Sequence, residues 1–461
     1  MTRELLERTF PWRLRRKATR VARRAWWVIP SSARDVLRPL LFRGAQAPPS
    51  SASPVFLQPV AARTVRRVVA HSRNGLPAES VSVLIPTLDA GPTFERVLAA
   101  ISAQEGFEDV DLVVVDSGSV DGTPEAARRV GARVLSISRE EFGHGRTRNY
   151  AAECSTGSVL VLLVQDALLL GRRALRELVD DLLMDEAAAA VSARQVPRSD
   201  ADLYGAFVIH NHYQTLWGSN GPPLSPSAAM RAAATVDDVC AAVRREAWEE
   251  IRFADVGFAE DLDFGIRALE RGWTLRLSHR AAVAHSHTRA AGYHLRRSVA
   301  DRLYVAPLVD DRAVSRASTV AMEELLAAAG LCLQELAGAF SAVPADSAPL
   351  AIHVSRIRAL LEAGAPRIAP SGELEETASL IDGDASGPVA KRVVSDLRHA
   401  LIRMLESDAI ERFAAAHRHV STGEATDFTA KAAATVVGRV IGDALRIEPH
   451  EPVRRRLLAG V

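Results

Sequence analysis

Residues 81–123 read VSVLIPTLDAGPTFERVLAAISAQEGFEDVDLVVVDSGSVDGT, and this stretch decides the fold class. Val81–Ile85 is an apolar run of strand length. Gly91-Pro92-Thr93 opens a helix whose apolar positions, Phe94, Val97, Leu98 and Ile101, recur at helical spacing. Leu112–Val115 is a second buried strand. Thr123-Pro124-Glu125 is a helix start, with Thr as N-cap, Pro at the first helical position and Glu in the first turn. Gly131 closes that helix. Arg133–Ile137 supplies a third strand and Val159–Val164 a fourth. Strands alternating with helices predict an α/β fold with a Rossmann-like, mostly parallel sheet. Ligands of such sheets gather at the carboxyl ends of the strands.

Polar clusters sit at those ends. Pro86-Thr87-Leu88-Asp89 follows the first strand, and Asp116-Ser117-Gly118-Ser119-Val120-Asp121-Gly122 follows the second. An acidic side chain there accepts from a base N–H or from ribose hydroxyls, and the glycines permit close backbone approach; a solvated Asp/Ser/Gly turn has the same composition. Glu141-Phe142-Gly143-His144-Gly145-Arg146-Thr147-Arg148-Asn149 leads into a helix and suits a diphosphate, since arginine donates in a plane and a helix N-terminus adds N–H groups. Gln165-Asp166 ends the fourth strand. Glu260-Asp261-Leu262-Asp263 opens a further helix running from Asp261 through Arg271, where carboxylates either complement the helix dipole or include a general base. His285-Ser286-His287 ends a strand at Ala281–Ala284, and alternate residues of a strand share a face, so both imidazoles can meet one ion.

The ordered string of these clusters resembles the inverting family 2 glycosyltransferases with the GT-A fold, in particular the bacterial rhamnosyltransferase-like branch, which reads F-x-H-G-x-x-R-N and then T-Q-D-A. The resemblance covers residues 80–305. It implies that Pro86, Thr87, Asp89, Asp116, Ser119 and Asp121 line the nucleotide site, with Asp89 where the family often has Asn. It implies that His144, Gly145 and Arg148 approach the diphosphate or donor sugar, beside Gln165. Asp166 would be the last Asp of the D-x-D metal motif, completed by His285 or His287, and Asp261 the general base with Glu260 as its neighbour. Val164 stands where that motif has its first Asp, as in the rhamnosyltransferase-like branch. One carboxylate and imidazole would then hold Mg²⁺ or Mn²⁺, with diphosphate oxygens and waters filling the remaining positions. The implied reaction moves a sugar from a UDP- or dTDP-sugar, dTDP-rhamnose-like favoured, to a hydroxyl of a lipid-linked or cell-surface glycan, with inversion. A non-catalytic nucleotide- or glycan-binding scaffold is the alternative. A nucleotidyltransferase would want a Gly-rich basic loop that Pro86–Gly91 does not offer.

On the acceptor side, residues 204–234 form a long segment before Val239–Val243. Its His210, His212, Tyr213 and Trp217 either stack on a sugar or anchor a partly buried loop.

Further outward, residues 310–461 read as a helical C-terminal domain, with apolar helical stretches at 318–342, 350–363, 387–406 and 427–446 and no strand signal. It is the candidate surface for self-association. On the other side, residues 44–79 read as a linker, Pro/Ser/Ala-rich at 44–59, between an arm (1–43) and the α/β domain (80–309). The 461-residue chain carries a net charge of +1, but residues 1–80 hold 16 Lys+Arg against 4 Asp+Glu. Within the arm, Leu14, Ala18, Val21, Ala22, Ala25, Trp26 and Ile29 face opposite Arg13, Arg15, Arg16, Lys17, Arg20, Arg23 and Arg24. Such a helix lies on an anionic membrane surface or packs on its own protein. No aromatic-interleaved motif favours nucleic acid. No apolar run reaches 18 residues; the longest candidate, Val159–Leu170, is interrupted by Gln165 and Asp166, so no transmembrane helix is expected. No secretory signal follows the basic start. The three cysteines, Cys154, Cys240 and Cys332, fit neither a disulfide framework nor a metal site. These features together point to the cytoplasm, at the inner face of the cell membrane.

Overall fold

The computed structural model describes residues 80–107, 109–216, 225–309, 320–381 and 388–459. The arm (1–43), the linker (44–79) and Trp217 lie outside the described residues, as does the expected domain junction just past 309.

Chain order through the α/β part is β1 (Val81–Thr87), α1 (Gly91–Ser102), β2 (Val110–Asp116), α2 (Thr123–Arg129), β3 (Arg133–Ser136), α3 (His144–Glu153), β4 (Val159–Leu163), β5 (Leu168–Leu169), α4 (Ala174–Leu183), β6 (Ala188–Val196), α5 (Leu203–Leu216), α6 (Pro226–Ala233), β7 (Cys240–Arg244), α7 (Arg245–Ile251), α8 (Glu260–Glu270), β8 (Thr274–Ala284) and α9 (Ala291–Ala300). The eight strands form one sheet in the order β3-β2-β1-β4-β7-β6-β8-β5. Pairings β1·β2, β1·β4, β2·β3 and β6·β8 are parallel. β7 runs antiparallel to both its neighbours, and β5 to β8. This is the GT-A arrangement, as expected. At the sheet edge β3 is exposed or half-buried throughout, whereas β1, β2 and β4 are buried on both faces: Val81, Val83 and Ile85 pack under Phe94, Leu98 and Leu175, while Leu84, Val113 and Val115 pack under Ala151, Trp248 and Phe264. That two-sided burial explains why they read as continuous apolar runs rather than alternating ones.

Some boundaries move. The N-cap of α2 is Gly122, in the left-handed region at φ 85°, and Thr123 lies inside the helix. The segment at 204–234 is not a loop: it holds α5 and α6.

Beyond α9 come a π-turn (Asp301–Val305), a short turn (Ala306–Leu308) and then α10 (Met322–Ala342), α11 (Leu350–Ala363), α12 (Glu373–Leu380), α13 (Pro388–Leu405), α14 (Asp408–Ala415), α15 (Thr422–Ile447) and α16 (Glu451–Leu458). A two-residue antiparallel pair, Ser347–Ala348 with Val420–Ser421, is the strand content the sequence did not signal. Helix α10 is long and apolar enough to cross a membrane, a property the sequence reading did not assign to it; 67% of its most apolar window is buried in the helical body. The helical core reaches back before residue 310, since Tyr204, Phe207, Leu295 and Val299 pack within it. Helices α9 and α15 meet closely: a Cβ on Gly438 would lie 2.3 Å from the Leu295 carbonyl oxygen.

Candidate active site

The exits of β1 and β2 form one locked pair of loops. The Asp116 carboxylate is buried and accepts from Thr87 Oγ1 (3.1 Å), Ser119 Oγ (2.5 Å) and the amides of Gly118 and Ser119 (3.1 and 3.0 Å). Asp89 sits at φ 42°, a conformation Asp tolerates better than most residues. Its carboxylate accepts from the Val120 amide and pairs with Arg139 at 3.0 Å. Asp121 accepts from the Gly91 amide and from Thr123 Oγ1, and that hydroxyl, ahead of the backbone amides, holds its carboxyl below the ordinary value. Gln165 ties the exit of β4 to that of β1 in both directions: its Oε1 accepts from the Leu88 amide (2.8 Å) and its Nε2 donates to the Leu88 carbonyl (3.1 Å). Pro86, Thr87, Asp89, Asp116, Ser119, Asp121 and Gln165 are thus brought together, and most of their polar atoms are spent on shaping the loops.

Next to this lies a donor set for a cation. Asp166, at the exit of β4, stands 3.6 Å from His285 Nε2 through Oδ1 and 3.6 Å from His287 Nδ1 through Oδ2. One ligand atom from each of the three lies within 4.8 Å of the others. Two ligands about 2.1 Å from one ion stand about 3.0 Å apart at a right angle. Separations of 3.6 Å are therefore near what a shared ion needs, and too long for hydrogen bonds. Burial raises the Asp166 carboxyl, but the two imidazoles outweigh it and hold it below the ordinary value. The residues present fit a divalent cation with mixed carboxylate and imidazole ligands.

The third cluster is acidic. Helix α8 begins at Glu260 after Ala259, which adopts the left-handed region at φ 64°. That turn sends Glu260 inward, where its Oε1 takes Arg148 Nη1 at 2.5 Å. Arg148 Nη2 pairs with Asp238 at 2.6 Å. Arg148 is 4% exposed. It does not present a guanidinium to a diphosphate, contrary to the sequence expectation; two carboxylates consume it. Burial lowers its basicity, but Asp238 and Glu260 more than restore it. Burial, then Asp238, raise the Glu260 carboxyl above its ordinary value, Arg148 opposing. Asp261, half-buried, accepts from the Leu262 amide at 2.7 Å; burial first, then Asp238 and Glu260, lift its carboxyl well above the ordinary value. A carboxylate so raised is a stronger base than an ordinary one, which suits it to accept a proton.

The HGRTRN motif is the platform for that cluster. A Cβ on Gly145 would stand 2.1 Å from the Ala254 carbonyl oxygen, so only glycine lets α3 pack there. Asn149 donates to the Phe253 carbonyl and accepts from Trp248 Nε1 and the Phe253 amide. Gly145, Arg148 and Asn149 together dock α3 on the segment that leads into Glu260-Asp261. His144 alone of this motif's expected donor-site residues is exposed, at the start of α3.

Known proteins match this architecture. Residues 82–252 match the family model described as glycosyl transferase family 2. That stretch is similar to the glycosyl transferases of family 2. The chain is 30% identical over 225 residues to the O-antigen chain rhamnosyltransferase RfbN of Salmonella typhimurium and 28% identical over 215 residues to the O-antigen chain rhamnosyltransferase WbaN of Salmonella anatum, each match covering 45% of this chain. It spans 66% of the length of each relative, just under two thirds. Among solved structures it is similar to a mannosyltransferase from Pyrobaculum calidifontis (20% identity, 64% of this chain and 76% of that one, TM-score 0.40). It is also similar to glucosyl-3-phosphoglycerate synthase from Mycobacterium tuberculosis (23% identity, 50% and 78%, TM-score 0.37).

Within residues 82–252, three polar residues escaped sequence reading. Asp237 and Asp238 lie between α6 and the buried strand β7, and the Asp-Asp pair before an apolar strand was the signal. Gln195, near the end of β6, had none. On the acceptor side, Tyr213 is buried and donates to Asp237 at 2.5 Å, and His212 lies 3.9 Å from the same carboxylate. Tyr213 is therefore not open for sugar stacking, and His212 is 40% exposed.

Proposed function

We propose that the chain is an inverting glycosyltransferase. It takes a sugar from a UDP- or dTDP-sugar, dTDP-rhamnose-like favoured, and sets it on a hydroxyl of a lipid-linked or cell-surface glycan. The observation that carries this reading is the convergence of Asp166, His285 and His287 beside the locked loops of β1 and β2, in a domain of the glycosyl transferase family 2 type. The similarity to two O-antigen rhamnosyltransferases supports the donor class.

Asp166, His285 and His287 would hold Mg²⁺ or Mn²⁺. Such an ion, when bound, neutralises charge on the departing diphosphate. Asp261 takes the proton of the acceptor hydroxyl. The hydroxyl oxygen forms its bond to the anomeric carbon as the bond from that carbon to the diphosphate breaks, and the nucleoside diphosphate leaves with the electron pair. Attack from the face opposite the leaving group inverts the centre. Arg148 acts from behind: by pairing Glu260 and Asp238 it limits the repulsion that ionised Asp261 feels. His144, exposed at the start of α3, would approach the diphosphate.

The basic arm would keep the enzyme at the inner face of the cell membrane, where polyprenyl-linked acceptors reside, and the helical body would be its surface for self-association. Asp261→Asn tests the catalytic assignment. Turnover should fall about 10²- to 10⁴-fold with donor binding retained. Retained turnover would remove Asp261 from the role. A parent chain that binds nucleotide but turns over no donor would favour the scaffold reading.

A further inference from the structure

His285 is oriented by a hydrogen-bonded chain that runs away from the cation ligands into the core. Its Nδ1 lies 2.8 Å from Gln195 Oε1. The Gln195 amide nitrogen faces Asp237, at 2.9 and 2.8 Å from the two carboxylate oxygens. A carboxylate only accepts, so the Gln195 NH₂ must point toward Asp237 and its oxygen toward His285. An acceptor opposite Nδ1 requires a hydrogen on Nδ1. The neutral ring then carries its lone pair on Nε2, the nitrogen that faces Asp166 at 3.6 Å. Tyr213 completes the chain by donating to Asp237 at 2.5 Å. Burial, then the Asp237 charge, push the Tyr213 hydroxyl far above its ordinary value, so it remains a donor.

We propose that Gln195, itself held by Asp237 and Tyr213, is the positioning residue that fixes His285 as the Nδ1–H tautomer and so presents its Nε2 lone pair to the cation. The inference rests on reading Asp166, His285 and His287 as cation ligands. It also gives the polar residues of α5 and the β6–β7 region a role behind the ligands, in place of sugar contact. Partners of this kind orient ligating imidazoles and tune affinity in metal sites generally.

Two measurements on the full chain test it. The first is the ¹⁵N spectrum of histidine-labelled protein without metal, with His285→Asn to assign the signal. A protonated Nδ1 and a bare Nε2 are expected; a protonated Nε2 overturns the proposal without any variant of Gln195. The second is Mn²⁺ binding, read from the electron paramagnetic resonance of the free ion, in parent and Gln195→Met. Gln195→Met removes the acceptor and should weaken Mn²⁺ about 10- to 100-fold, measured at a temperature where its unfolding curve shows the variant folded. Unchanged Mn²⁺ affinity in Gln195→Met, with affinity lost in Asp166→Ala, overturns the positioning role alone. Unchanged affinity in Asp166→Ala and His285→Asn overturns the cation site itself.

Discussion

Replacing Arg148 by Met separates two roles that one sequence motif permits. The guanidinium is 4% exposed and lies between Glu260 (2.5 Å) and Asp238 (2.6 Å). Arg148→Met keeps most of the side chain's volume and leaves both carboxylates without their cation. Breaking a buried pair from one side costs about 3–5 kcal/mol, since the remaining charge stays desolvated. For a domain of this size each kcal/mol moves the melting temperature by about 2–4 °C, so a fall of roughly 6–20 °C is expected. The transition can be followed by tryptophan fluorescence, because Trp248 and Trp273 are buried in the affected domain. The loss should shrink as pH falls, because a protonated Glu260 needs no counter-charge. The double variant Arg148→Met/Glu260→Gln should recover part of it, as contacting residues couple. An unchanged melting temperature, with nucleotide affinity in Mn²⁺ reduced tenfold or more, would refute this reasoning and return Arg148 to the diphosphate.

Three further outcomes follow from the geometry. Burial and like charge raise Asp261 in the fold, so its contribution to stability is present at low pH and is lost as pH rises through the folded value. Asp261→Asn should therefore gain stability relative to the parent as pH rises from about 4 to 8 in urea titrations; a difference that is flat with pH would contradict the raised value. Gln165→Leu removes both bonds to the Leu88 backbone. It should cost about 1–3 kcal/mol and weaken nucleotide binding by freeing the β1 exit; parent-like behaviour in both calorimetry and unfolding would count against the clamp. Deleting residues 1–43 should release the chain from anionic liposomes while leaving donor hydrolysis intact, and unchanged co-sedimentation would remove the membrane role of the arm.

The α/β order was legible because β1, β2 and β4 are buried on both faces and read as apolar runs bounded by turn residues, while the edge strand β3 was marked by the Gly131 that closes the helix before it. The same locality made the strand-end clusters visible: Asp116, Asp121, Asp166, Glu260 and the His285/His287 pair each follow or open a recognisable element. What failed to read was anything fixed by distant partners. Arg148 and Glu260 are 112 residues apart in the chain, so neither carries a local sign that the other consumes it. Gly145 looked like a phosphate-loop glycine, yet the need for it comes from the Ala254 carbonyl across the fold. Helix α5 was hidden because Gly205, His210, Asn211 and His212 blur its apolar stripe, and its buried side serves two bodies at once, Tyr204 and Phe207 entering the helical core while Tyr213 meets Asp237. The helical body likewise recruits α9 through close glycine contacts that no sequence boundary near 310 announces.

The most direct test of the account is calorimetric titration of the purified chain with dTDP and with UDP, in Mn²⁺ or Mg²⁺ and again in EDTA. The account predicts binding of one nucleotide that depends on the metal and is lost in Asp166→Ala. Binding of neither nucleotide, or binding that ignores both EDTA and Asp166→Ala, would contradict it.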